Sequence, residues 1–153
     1  MPYLLDRLTA VVCWSLLTLS VPAISLSAPL HMSDKNDAVI VDMSNAFTHN
    51  DRKKLSHLLP QAKGHILEPW AAYWELRVRL GDANDNEVRE FLNKYPGSYQ
   101  EDRLRNDWLL VLAQRQEWSQ FEREYALYRM HDDKEVECYA NWLHSSQKKF
   151  NDT

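Results

Sequence analysis

Apolar residues recur at a spacing of three or four along the chain from about residue 33. Residues 95–118, YPGSYQEDRLRNDWLLVLAQRQEW, show the pattern well: a turn and a charged segment lead into an apolar run that ends on a second tryptophan. Such spacing indicates amphipathic helices, and no stretch alternates apolar and polar residues long enough to predict a strand. The pattern therefore predicts an all-α protein.

Six or seven helices follow from this spacing and from residues that begin or end helices. The first is predicted over about 35–49, and a short second helix follows Asn50 or Asp51. The later helices are predicted over about 69–80, 86–94, 100–115, 118–129 and 133–146. The three glycines of the chain, each placed where one helical pattern stops and another starts, are Gly64, Gly81 and Gly97.

Short helices with short connections predict an array of antiparallel helical hairpins, that is, an α-superhelix or solenoid fragment. We expect this array to occupy residues 33–146 and a polar tail to occupy 147–153. Helix pairs recur only roughly every 30–40 residues, so any repeat is degenerate. A compact bundle of the same helices is the alternative fold.

The first 28 residues have the character of an export signal. Arg7 provides positive charge near the start, and residues 8–30 contain no charged side chain. Small residues follow the apolar core, and cleavage after Ser25 or Ser27 would fit the usual preference. We therefore expect export, with an uncleaved membrane anchor as the alternative.

Charge and glycine content exclude several classes of function. The formal net charge is −4 and there is no basic stripe, which argues against a nucleic-acid partner. Three scattered glycines cannot form a phosphate-binding loop, so no nucleotide cofactor is expected. The composition indicates a mildly acidic helical protein without a cofactor.

Histidine and cysteine positions predict neither a metal site nor a nucleophile. His57 and His65 lack the close spacing of zinc ligands. A solvated turn is the better interpretation of His131 and the two aspartates that follow it. Cys138 and His144 fall on different faces of the last predicted helix, so they do not form an activated pair.

Paired carboxylates occur four times, at Glu87 and Glu90, Glu101 and Asp102, Glu122 and Glu124, and Glu135 and Glu137. Glycoside chemistry requires that one acid of a pair be partly buried. The pairs lie in charge-rich helix starts, where the helix dipole favours negative charge. We therefore expect solvated carboxylates and predict no catalytic residue.

Aromatic residues are the strongest compositional signal. Tryptophan faces can stack on sugar rings, but their helical spacing beside leucine and valine favours packing in a core. The predicted core aromatics are Trp70, Tyr73, Trp74, Trp108, Trp118 and Trp142.

Three segments occur together in one order: YWELRVRL at 73–80, FLNKYPGSYQEDRLRNDWLLVLAQRQEW at 91–118, and ECYANWLHSSQKK at 137–149. With the export signal, they resemble the amino-terminal part of bacterial soluble lytic murein transglycosylases. The most specific piece is Leu104-Arg105-x-x-Trp108-Leu109, followed by Arg115-x-x-Trp118.

The resemblance implies a periplasmic family that cleaves peptidoglycan glycan strands and leaves a 1,6-anhydromuramoyl end. It implies an amino-terminal α-helical superhelix and a separate lysozyme-like catalytic domain, whose glutamate lies in a Glu-Ser dipeptide upstream of a Gly-Leu-Met-Gln segment. No glutamate of this chain is followed by serine. The expected function is therefore a non-catalytic superhelical module, truncated before the catalytic domain, to which no catalytic residue is carried over.

The same resemblance bears on Cys138 and on partners. Relatives carry a second cysteine further along that can bridge to it, so Cys138 is expected to be unpaired here. The implied partners are peptidoglycan glycan strands or the remaining part of a split transglycosylase, and an uncapped end predicts self-association. The membrane is a partner only if the signal is uncleaved. The alternative function is a free-standing periplasmic adaptor that binds peptidoglycan or a partner protein.

Overall fold

The computed structural model of the protein describes the backbone of residues 35–151 and the side chains of residues 37–146. The regular secondary structure of the described residues consists of helices, and they contain no strand, which confirms the all-α prediction. The signal segment 1–28 lies outside the described residues. The helices are α1 (Lys35–Thr48), α2 (Arg52–Leu58), a 3-10 helix (Leu59–Ala62), α3 (Glu68–Val78), α4 (Asp85–Lys94), α5 (Tyr99–Gln114), α6 (Trp118–Tyr125) and α7 (Lys134–Asn151).

Polar residues immediately before α2, α4 and α5 cap the starts of these helices. The Asn84 side chain accepts a hydrogen bond from the Glu87 N–H at 3.0 Å, and Glu87 Oε2 accepts one from the Asn84 N–H at 3.2 Å, which forms a capping box before α4. Ser98 caps α5 and Asp51 caps α2 in the simpler one-way manner. Each cap satisfies N–H groups that the first helical turn leaves unpaired.

Not every helix that ends in a left-handed residue has glycine there, although the sequence pattern predicted glycine at the helix ends. Gly64 and Gly97 have positive φ, but the ends of α1 and α5 place Asn50 and Gln116 in the left-handed region, with φ of 53° and 58°. After α5, the Gln116 N–H binds the Ala113 carbonyl and the next N–H binds the Leu112 carbonyl. These two hydrogen bonds form a Schellman motif, and they offset part of the conformational free energy that a non-glycine residue loses at positive φ.

Two hydrophobic clusters form the core. The smaller one joins α1, α2, the 3-10 helix and α3 around Met43, Leu55 and Ala71. The larger one extends from α3 to α7 and contains Leu104, Trp108, Leu112 and Phe121 among others. The partly buried Trp74 packs against both clusters. Every packed pair of described α-helices is adjacent or next but one along the chain.

The helix α6 ends earlier than the sequence pattern indicated, at Tyr125 instead of Arg129. The N–H groups of Arg129 and Met130 donate to the carboxylate of Asp102, at 3.0 Å and 2.7 Å. The buried acceptor on α5 therefore holds residues 129 and 130, which the sequence pattern placed at the end of α6 and just after it, in a non-helical connection.

The helix α7 continues to Asn151, beyond the boundary at 146 where we expected a polar tail to begin. Lysine and glutamine are good helix formers, and positive charge near a carboxyl terminus suits the helix dipole. Among the described helices, none combines the length and apolar character that crossing a bilayer requires.

Candidate functional site

The most unusual feature of the structure is a buried polar face on α5. Its members, none of which is more than 6% exposed, are Glu101, Asp102, Arg105, Asn106 and Asp107. Other residues of the helix, such as Leu104 and Trp108, are buried in the larger core cluster. The helix is therefore buried on both its apolar and its polar sides, and charges in a protein interior require partners.

Arg105 occupies the centre of this polar face. Its guanidinium donates to Glu101 on the preceding turn and to Glu124 on α6. Glu101 also lies 2.9 Å from the Arg129 guanidinium and accepts the Gly97 N–H at 3.1 Å. Burial raises the pKa of Glu101, but the hydrogen bond and charge of Arg105 more than offset this and hold the pKa below its usual range. The network joins α5 to α6.

Two neighbouring side chains secure the segment that leads from α6 to α7. Asp102 accepts the backbone N–H groups described above. Asn106 donates to Asp133 Oδ2 at 3.1 Å, and its own Oδ1 accepts the Tyr128 hydroxyl at 2.8 Å. Burial is the main reason why the pKa of Tyr128 is raised. These contacts hold the connection against the middle of α5.

Asp107 completes the polar face and points toward α3. Its Oδ2 accepts the Tyr73 hydroxyl at 2.8 Å and lies 2.7 Å from Arg77 Nε. Burial raises the pKa of the Asp107 carboxyl, against the opposing effect of Arg77, and burial together with Asp107 raises the pKa of the Tyr73 hydroxyl. Asp107 therefore links α5 to α3.

These positions correct the expectation of solvated carboxylates for Glu101 and Asp102. Both are buried because α6 and residues 128–133 pack over a helix start that a surface helix would expose. The sequence contains one indication: charged and apolar residues are interleaved in segment 99–107, so it lacks the wide polar side that a surface helix turns toward solvent. Because each carboxylate is held by an arginine, an amide or backbone N–H groups, the arrangement serves to join helices.

A second polar contact lies outside α5, where Glu68 begins α3. Its carboxylate accepts the Gly64 N–H at 2.7 Å and the Tyr95 hydroxyl at 3.0 Å, and Lys94 Nζ lies 2.5 Å away. The hydrogen bonds from Lys94 and from Gly64 lower the pKa of Glu68 to about 2. This carboxylate connects the start of α3 to the end of α4.

Glu68→Gln is expected to lower the free energy of unfolding by about 1–2 kcal/mol at pH 7, a range reduced because Lys94 is exposed to solvent. A carboxyl whose pKa is lowered by folding stabilises the protein fully above its unfolded pKa of 4.5 and loses this effect as the pH falls toward 2. The stabilities of the variant and the wild type should therefore converge over that range in urea titrations.

Glu90→Gln is the matched control, because Glu90 is exposed and has no partner among the described residues. It should leave the unfolding free energy nearly unchanged at every pH. An equal loss of unfolding free energy in both variants, independent of pH, would contradict the conclusion that the Glu68 carboxylate stabilises the fold.

The predicted core aromatics divide into two groups. Tyr73 and Trp108 are buried, and Trp70, Trp74 and Trp118 are partly buried against the larger cluster. Trp142 departs from the expectation, since it is 53% exposed. It lies on α7, where the ring of Trp118 at the start of α6 packs against it and leaves about half of it exposed.

Trp142 is part of an open, largely apolar cleft of about 460 Å³ formed with Gln116, Trp118, Cys138 and Tyr139. The rings of Trp118 and Trp142 are 5.0 Å apart between centroids. Cys138 is a free, exposed thiol at this cleft. The cleft lies between α7 and the turn that precedes α6.

The histidines singled out in the sequence take part in local contacts. His65 Nε2 lies 2.9 Å from Asp37 Oδ1, and His131 Nδ1 lies 2.8 Å from Glu137 Oε1. His57 and His144 are exposed. Within residues 37–146, no three His, Cys, Asp or Glu side chains lie close enough together to hold a metal ion.

The geometry thus describes a helical framework with a polar interior that is paired except at Arg105 Nε, an apolar cleft on α7 and a free thiol beside it. Comparison of the chain with protein-family models, with curated proteins and with solved structures finds no match.

Proposed function

We propose that the chain is a non-catalytic helical module of the type that forms the amino-terminal superhelix of soluble lytic murein transglycosylases. The proposal starts from the resemblance of segments 73–80, 91–118 and 137–149 to that family. It includes a periplasmic location, for which the argument is the uncharged segment 8–30 of the sequence.

The packing of the helices is the observation that supports this proposal most. Each described α-helix packs only against helices that are one or two positions away along the chain. In a superhelical array of hairpins, each unit contacts mainly its neighbours, and the apolar faces are buried by stacking. We therefore propose that α1 to α7 are successive members of such an array.

The environment of the family-like motif also supports a structural role. Leu104, Trp108 and Leu109 are fully or almost fully buried, and Arg105 joins α5 to α6 through its two glutamates. The residues that carry the resemblance thus hold helices together. A scaffold would use such residues in this way.

The alternative is a periplasmic adaptor that holds glycan strands without cleaving them. The cleft around Trp118 and Trp142 favours this alternative, because an exposed indole face beside the Gln116 amide offers a sugar ring both apolar contact and a hydrogen-bond partner.

One experiment tests both functions. The purified full chain is incubated with insoluble peptidoglycan, and the soluble and bound fractions are analysed separately. For the module, we expect no release of 1,6-anhydromuropeptides by mass spectrometry, while an active transglycosylase releases them under the same conditions. Release by the chain alone would show that it is an enzyme and would overturn the proposal.

Retention of the chain in the pellet would favour the adaptor if Trp142→Ala abolishes it. Exposed Leu127, which lies outside the cleft, provides the control variant Leu127→Ala. Equal retention of both variants would indicate non-specific adsorption and would count against a glycan site at this cleft.

A further inference from the structure

A second cleft, formed by α1, α3 and α5, is lined by two arginines. It has a volume of about 480 Å³ and lies among Phe47 and Asn50 at the end of α1, Tyr73, Arg77 and Val78 of α3, and Arg103 and Asp107 of α5. Clefts of this size accommodate small ligands. We define this set of residues as the arginine cleft.

Asp107 fixes the position of one arginine. The carboxylate is only 6% exposed and lies 2.7 Å from Arg77 Nε, while Tyr73 donates to the same oxygen. An arginine held through Nε keeps its two terminal nitrogens for another partner, because a guanidinium carries five N–H donors in a rigid fork. Arg77 is 44% exposed at its side chain, so these donors are accessible from the cleft.

Arg103 provides a second guanidinium one helical turn before Asp107. Its nearest described carboxylate is Asp132, whose Oδ2 lies 3.7 Å from Nη1 and whose side chain is 56% exposed. An exposed pair at that distance contributes little. Among the described residues, the terminal nitrogens of Arg77 and of Arg103 have no acceptor in hydrogen-bond geometry.

The charge of the cleft indicates the kind of ligand. The two arginines carry two positive charges, and the buried Asp107 compensates one of them. The remaining lining residues Phe47, Asn50, Tyr73 and Val78 are uncharged. Asp132 does not line the cleft, and its attraction to Arg103 is weakened because its side chain is 56% exposed to solvent. A single negative charge would balance the cleft, whereas a phosphate monoester, with nearly two charges at neutral pH, would exceed it.

The shape of the donors and walls agrees with this charge. A planar guanidinium fork matches a carboxylate through two parallel hydrogen bonds. The rings of Phe47 and Tyr73, with centroids 6.4 Å apart, also line the cleft, but Tyr73 is buried and the exposed lining is mainly polar. We infer that the arginine cleft binds a monoanionic carboxylate, held by Arg77 and Arg103 beside the partly buried ring of Phe47.

The site is independent of the proposed module function and can be tested with simple probes. 3-Phenylpropionate carries a carboxylate and an apolar ring, 3-phenylpropanamide removes only the charge, and phenyl phosphate replaces the carboxylate with a dianion. Each probe is titrated into the labelled full chain at low salt, and binding is followed through chemical shifts in two-dimensional NMR spectra. We expect 3-phenylpropionate to bind with a Kd on the order of 1 mM and to shift signals from α1, α3 and α5.

The variant Arg103→Met is expected to weaken this binding by at least about tenfold, because it removes charge-assisted hydrogen bonds. Arg123→Met is the matched control, since Arg123 is an exposed arginine on α6 without a described partner. It should leave binding unchanged. Arg77→Lys provides a second variant that keeps the charge beside Asp107 but loses the fork, and it should also weaken binding. Spectra without ligand establish that each variant is folded.

Three results would overturn the inference. The first is equal affinity for 3-phenylpropanamide and 3-phenylpropionate, which would show that the negative charge does not contribute to binding. The second is binding of 3-phenylpropionate that Arg103→Met does not change, or shifts that map away from the arginine cleft. The third is tighter binding of phenyl phosphate than of the carboxylate, which would assign the cleft to phosphate instead.

Discussion

Arg105→Met is expected to lower the free energy of unfolding by about 3–5 kcal/mol at neutral pH. The substitution removes the only described partner of Glu124 and one of the partners of Glu101, both of which are mostly shielded from water. Breaking a buried ion pair on one side leaves an uncompensated charge, which costs more than the pair contributed. Urea unfolding followed by circular dichroism measures the change.

The loss should be smaller at acid pH. Folding lowers the pKa of Glu101, so its contribution is present above the usual value of 4.5 and declines as the pH falls through the lowered folded value. The variant lacks the guanidinium that causes much of this lowering. The stability difference between the wild type and Arg105→Met should therefore narrow below about pH 4.5.

Two further variants separate a broken charge pair from a simple packing defect. The triple variant Glu101→Gln, Arg105→Met, Glu124→Gln removes every charge of the network and should recover part of the stability lost in the single variant. Arg123→Met, on the exposed side of α6, should change stability by no more than about 0.5 kcal/mol. A triple variant that is less stable than Arg105→Met would refute the argument from unpaired charge.

Trp108→Ala is expected to destabilise the protein by about 3–5 kcal/mol. Trp108 is 1% exposed and lies in the larger core cluster with Leu104 and Leu112. Its truncation removes the largest side chain of that cluster and leaves a cavity that well-packed neighbours fill only partly. The Arg89 guanidinium, 5.6 Å from the indole centroid, loses its aromatic partner as well.

Trp142→Ala is the matched comparison, because it deletes the same side chain from a half-exposed position. It should change the free energy of unfolding by about 1 kcal/mol or less. Thermal and urea unfolding of both variants under the same conditions provide the measurement. Similar losses in the two would mean that the outer side of α7 is covered in solution, contrary to its exposure here.

Helix boundaries show what local sequence can predict. The capping residues Asp51, Asn84 and Ser98 precede apolar periodic segments, and the structure begins α2, α4 and α5 directly after them. These capping interactions act within a single helical turn, so they can be predicted from the sequence without knowledge of the fold. Residues with positive φ are harder to predict from the sequence, because Gln116 follows the end of α5 at a position that no glycine marks.

The polar face of α5 shows where local reasoning fails. A carboxylate in a first helical turn is favoured by the helix dipole whether it is solvated or buried, so Glu101 and Asp102 read as ordinary surface residues. Their partners are distant in sequence: Asp102 binds the N–H groups of Arg129 and Met130, some 27 and 28 positions away. No local periodicity encodes such contacts. The same is true of Asp107, which the sequence pattern left without a role.

The sequence by itself determined that this chain is helical and where most helices begin, because these depend on spacing and on interactions within a few residues. Only the tertiary structure decided which polar residues are buried and which tryptophan remains exposed. Burial depends on whether another segment covers a face. Segments packed over α5 made its charged residues part of an interior network, whereas Trp142, which the ring of Trp118 covers only in part, remained half-exposed.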